Sequence, residues 1–104
     1  MLTLPTQGKW FRMLLSGEKK EEYRKLSGYY ASRLEKYAET GGRCVFRNGY
    51  SALSPSFEAD FTVRKGTGRP EWGAEPGKEY YVLSVSGIGN VRNCGTETAG
   101  RADG

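Results

Sequence analysis

The sequence predicts an α+β domain: a small curled sheet of few strands, with two helices placed early that plug its open end. Three observations predict it. Apolar residues recur with a period near 3.6 up to Thr40, the period drops to 2 after Gly41-Gly42, and the connections are short.

Leu2-Thr3-Leu4 reads as a short strand. Pro5-Thr6 then offers an N-cap for a helix over about 7–16, whose Trp10, Met13 and Leu14 give an apolar stripe. Gly17 ends it, and the residues that follow, Lys20 to Arg24, are expected to run extended. Ser27 caps a second helix over about 28–40, with Tyr30, Leu34, Tyr37 and Ala38 inward and Arg33, Glu35, Lys36 and Glu39 on a solvated face. Beyond the two glycines, Cys44 to Arg47 is a strand and Asn48-Gly49 a turn. The clearest strand is Phe57 to Arg64, where Phe57, Ala59, Phe61 and Val63 alternate with Glu58, Asp60, Thr62 and Arg64. Lys65 to Gly77 reads as a long Gly/Pro-punctuated loop and Lys78 to Ser86 as a last strand with Tyr81, Leu83 and Val85 on one side. From Gly87 onward glycine dominates and bulky apolar residues are scarce, so 1–86 is expected to form the domain and 87–104 a disordered tail.

A chain of 104 residues holds one modest core and leaves no room for a cofactor domain, so no cofactor is expected. The net charge is +4, and it is unevenly placed: 1–47 carry ten Lys/Arg against five Asp/Glu, 48–104 six against seven. A basic half suggests an anionic partner such as nucleic acid, although it also suits an ordinary soluble surface. Two cysteines and no histidine exclude a four-ligand Cys/His zinc site and any Ser-His or Cys-His catalytic pair. Cys44 and Cys94 read as free thiols in a reducing cytoplasm. No run approaches the ~20 apolar residues of a membrane helix, so no membrane partner is expected. The sequence sets no oligomeric state.

The stretch Gly17-Glu18-Lys19-Lys20-Glu21-Glu22-Tyr23-Arg24 carries the chemistry. On an extended chain Glu22 and Arg24 point to the same side, and Lys19 at the preceding turn can swing toward them. Lysine, carboxylate and guanidinium would then meet in one small volume, either as a site or as an ion-pair network that only holds the fold. In the functional reading, a partly desolvated Lys19 would lose proton affinity and Glu22 or a distant carboxylate would shuttle protons.

The pattern G-x-K-x-x-E-x-R, set by Gly17, Lys19, Glu22 and Arg24, resembles the signature of ASCH domains, small β-barrels of the PUA-like superfamily. The aromatic helix before it, the Val45-Phe46-Arg47-Asn48-Gly49-Tyr50 segment and the block from Thr67 to Tyr81 are similar to a compact branch common in phage and prophage genes. Together they cover about 2–86. The resemblance implies a small mixed β-barrel of about five strands, with the motif lining a cleft between barrel and helices. It implies binding of single-stranded RNA or of a modified nucleotide or nucleoside. Some ASCH members are amidohydrolases acting on N4-acetylcytidine-type nucleosides, in which Lys19 would match the catalytic lysine and a glutamate would act as acid/base. That branch has a threonine where this chain has Glu22, and Thr67 would replace its hydroxyl only if the loop folds back.

The rim of the expected cleft comes from the remaining candidates. Trp72 can stack on an unpaired base while Arg47 and Arg69 take phosphates, or Trp72 can plug the barrel as core. Tyr50, beside the Asn48-Gly49 turn, is expected to rim the cleft. The full candidate ligand set is thus Lys19, Glu22, Arg24, Arg47, Asn48, Tyr50, Arg69, Glu71 and Trp72, with Lys19 and Glu22 catalytic if the protein is an enzyme. Glu71, Glu75 and Glu79 are too loosely spaced to argue for a metal.

Overall fold

The computed structural model describes residues 1–94. Strand β1 (Leu2–Pro5) leads to helix α1 (Gly8–Ser16), strand β2 (Glu21–Lys25) and helix α2 (Gly28–Leu34). Strands β3 (Gly42–Arg47), β4 (Ser56–Thr67) and β5 (Glu79–Arg92) complete one five-stranded sheet of order β1-β3-β4-β5-β2. β1 runs parallel to β3 and the other pairs are antiparallel.

The α+β class and the mixed five-stranded sheet stand, but the sheet is not closed into a barrel. Its ends are β1 and β2, which share no backbone ladder. β1 terminates at Pro5, which has no N–H to donate. The gap is spanned by a side chain: Arg24 of β2 donates from Nη2 to the Pro5 carbonyl oxygen at 2.8 Å.

The main core lies on the face that carries Phe57, Ala59, Phe61 and Val63, as the alternation predicts. Phe11 of α1 and Phe46 of β3 stack on Phe57 with ring centroids 5.2 and 5.4 Å away. Tyr81 and Leu83 of β5 join this core, whereas Tyr80 and Val82, pointing the other way, form a second small cluster with Ala74 under the 68–78 segment. β5 is therefore covered on both faces along this stretch.

Several local expectations are corrected. The cap of α1 is Gln7, because the Thr6 hydroxyl is buried and engaged with Leu4 and Arg24; the Asn48 side chain accepts from the Gly8 N–H instead. The buried positions of α1 are Phe11 and Leu14, with Trp10 and Met13 half-buried. Gly17 does end α1, at φ 85°. α2 stops at Leu34 and continues only as a 3-10 turn, Glu35–Tyr37, which leaves Ala38 exposed. β4 extends to Thr67 and a 3-10 turn forms at Pro70–Trp72, so the expected long loop is shorter and more ordered. β5 runs to Arg92, past the boundary expected at Ser86, because backbone pairing with β4 needs no bulky side chains. The rest of the expected tail, 95–104, lies outside the described residues. Among the described residues, no helix is long and apolar enough to cross a membrane.

Phe57→Ala should lower unfolding free energy by about 3–5 kcal/mol, since a fully buried ring between two others is lost. Thr62→Ala, on the exposed face of the same strand, should stay within about 0.5 kcal/mol. Urea denaturation of the two variants checks the contrast.

Candidate functional site

β2 builds the site by strand geometry. Glu22 pairs with Leu83 and Arg24 with Tyr81, so both side chains share the main core face. Tyr23 pairs with Val82 and lies on the other face, against Tyr80. Lys19 precedes the strand, its N–H bonded to the Met13 carbonyl oxygen, and folds its ammonium back onto Glu22.

The three head groups form one buried chain. Lys19 Nζ lies 3.1 Å from Glu22 Oε1, and Glu22 Oε2 lies 2.6 Å from Arg24 Nη2. Lys19 is only 1% exposed, Glu22 and Arg24 8% each. Each end has its own environment. At the lysine end, Nζ also donates to the Trp72 carbonyl oxygen at 2.8 Å and sits over the rings of Tyr23 and Trp10 at 4.7 and 5.3 Å. At the arginine end, Nη2 reaches Pro5 and Thr6, and Nη1 donates to the Tyr30 hydroxyl at 3.1 Å. The Arg24 Nε–H is buried and has no hydrogen-bond partner among the described residues.

Electrostatics differ along the chain. Burial lowers the proton affinity of Lys19, and the neighbouring Glu22 carboxylate only partly opposes it. Burial also works against the Arg24 charge, but Glu22 and the Tyr30 hydroxyl outweigh it and hold the guanidinium above its ordinary value. Burial pushes the Tyr23 hydroxyl up to about 12.

A cavity of about 570 Å³ opens at the arginine end. Arg24, Tyr29, Tyr30 and Tyr50 line it, with Gln7, Ser27, Lys25 and Pro5. Tyr50 is 78% and Tyr29 59% exposed, but the Arg33 guanidinium lies 3.5 Å from the Tyr29 ring centroid and Tyr30 packs edge-on against it, so Tyr50 is the more open ring. Lys19 and Glu22 do not line this cavity; they stand behind Arg24.

The structure thus gathers Lys19, Glu22 and Arg24, and it places Tyr50 beside Arg24. It does not bring the other candidates to the cavity. Trp72 is half-buried and covers Lys19 through its backbone, while Arg69 and Glu71 are exposed and paired with each other at 3.0 Å. Asn48 holds the start of α1, and Arg47 is half-buried beside Pro5 in register, its Nε without a partner among the described residues. Thr67 is exposed at the end of β4, opposite Glu79. Gly68 packs so close to the Tyr23 ring that an added Cβ would lie 2.4 Å from it, which explains a glycine at the entrance to the segment over Lys19. Sequence reading missed Tyr29 and Tyr30. The signal available was their position on the first turn of α2, five and six residues beyond the motif's arginine.

No known protein family, curated protein or solved structure matches the chain.

Glu22→Ala leaves two buried cations without their shared carboxylate and should cost about 3–5 kcal/mol in urea unfolding. Lys19 gives a pH signature with a definite sign. Its folded-state proton affinity lies below the ordinary value of 10.5, so in the window beneath that value the unfolded chain binds more protons and stability at this site rises with pH. Urea midpoints should therefore shift in favour of the wild type relative to Lys19→Met as pH is raised toward 10.5; a shift against the wild type contradicts the assignment.

Proposed function

We propose that the protein is a nucleic-acid- or nucleotide-binding module of the ASCH type, related to PUA-like domains, that takes an unpaired base of single-stranded RNA or a nucleotide at the Arg24 cavity. One observation carries the reading: a buried, charged guanidinium stands at a cavity walled by tyrosines. The volume falls in the range of small-molecule sites. The exposed Tyr50 ring offers stacking for any base, and the Arg24 guanidinium that lines the cavity offers positive charge to a phosphate. The basic amino-terminal half adds long-range attraction for a polyanion.

Hydrolysis of an acylated nucleoside is the second reading, favoured by the lowered proton affinity of Lys19 beside a carboxylate. It ranks behind binding because Nζ is buried and already bonded to Glu22 and the Trp72 carbonyl oxygen.

Tyr50→Ala should weaken the affinity for a short single-stranded RNA about tenfold, within the ~1–3 kcal/mol of a lost base stack, and leave the melting temperature unchanged. Wild-type affinity should also fall steeply with added salt. Fluorescence anisotropy with labelled RNA measures both, and RNA affinity indifferent to Tyr50 and to salt would sink the reading.

A further inference from the structure

We infer that the Arg24 cavity selects a terminal phosphomonoester, as on a free mononucleotide or a phosphorylated strand end, over an internal phosphodiester or an uncharged nucleoside. The inference rests on the nucleotide-binding reading above and narrows its ligand class.

The charges around the cavity carry it. Among the described residues the lining holds two basic residues and no carboxylate: Arg24 on the buried side, and at the edge the exposed Lys25, which shares the Tyr23 face of β2. The nearest carboxylate, Glu22, lies behind Arg24 and is shared with Lys19, so the buried triad holds two cations and one anion. One positive charge is left uncompensated there, and Lys25 adds another. A phosphomonoester carries about −1.5 to −2 at neutral pH, which matches that pair, whereas an internal diester carries only one charge.

The donors match as well. The Arg24 Nε–H has no partner among the described residues, although the side chain is nine-tenths buried. The Tyr30 hydroxyl accepts from Arg24 Nη1, which leaves its own proton for a phosphate oxygen. Gln7 and Ser27 add neutral polar groups, and Tyr50 leaves aromatic surface for the attached base. A terminal phosphate beside the Arg24 guanidinium would meet the Tyr30 hydroxyl, with its base against Tyr50.

The test titrates the full chain by calorimetry with cytidine monophosphate, cytidine, and the dinucleoside CpC, whose only phosphate is an internal diester. A short oligoribonucleotide with and without a terminal phosphate separates a strand end from a free nucleotide as the source. The monophosphate and the phosphorylated oligonucleotide should each bind about tenfold or more tighter than their counterparts lacking the terminal group, as expected for an added charge-assisted bond. Lys25→Ala should shrink that advantage, and so should lowering the pH from about 7.5 to about 5, where the phosphate gains a proton. If cytidine, CpC and unphosphorylated RNA bind as tightly as the phosphorylated probes, this inference falls and the nucleotide-binding reading stands. If no nucleotide or RNA binds at all, both fall.

Discussion

The carboxylate of Glu22, held between the Lys19 ammonium and the Arg24 guanidinium, is the interaction on which the rest of the structure depends. Taking charges out of water is costly, and mutual attraction offsets the cost only when geometry is good and the remaining donors are used. Here most are used. Lys19 finds the Trp72 carbonyl oxygen, and Arg24 finds Pro5, Thr6 and Tyr30. These partners belong to segments far apart in sequence, so one ion-pair chain ties β1, β2, α2 and the 3-10 turn at Pro70–Trp72 together. The open edge of the sheet is bridged by the same guanidinium, which replaces the ladder a closed barrel would have.

The chain of charges is asymmetric, and the asymmetry assigns its roles. The lysine end is sealed by Trp10, Tyr23 and the Trp72 backbone, and it fixes the segment after β4 against β2. The arginine end meets a cavity, and its buried Nε–H has no hydrogen-bond partner among the described residues. Lys19 and Arg24 share the Glu22 carboxylate, at 3.1 and 2.6 Å from its two oxygens.

Local periodicity made much of this legible. Period 2 placed Glu22 and Arg24 on one side and predicted the buried face of β4, and Gly17 marked the turn that brings Lys19 back. What failed depended on tertiary structure. The Thr6 cap was lost because a distant arginine claims its hydroxyl. The glycine-rich end of β5 reads as unstructured because pattern reports side-chain burial, whereas its order up to Arg92 comes from backbone pairing and from Arg43, which donates to the Gly87 carbonyl oxygen. Barrel closure could not be read at all, since it depends on how two edge strands meet. Trp72 and Arg69 suggested a rim by composition, yet their segment packs over the lysine end, while Tyr30, read as part of the α2 stripe, and Tyr29 beside it border the cavity with Tyr50.

The most direct measurement of the central claim is the nitrogen-15 and proton resonance of the Arg24 Nε–H, followed by NMR while cytidine monophosphate is added to the labelled protein. The account predicts a saturable shift of that resonance together with those of Tyr29 and Tyr50, and little change around Arg69 and Glu71. An Arg24 signal that stays fixed while the nucleotide saturates another surface would contradict it.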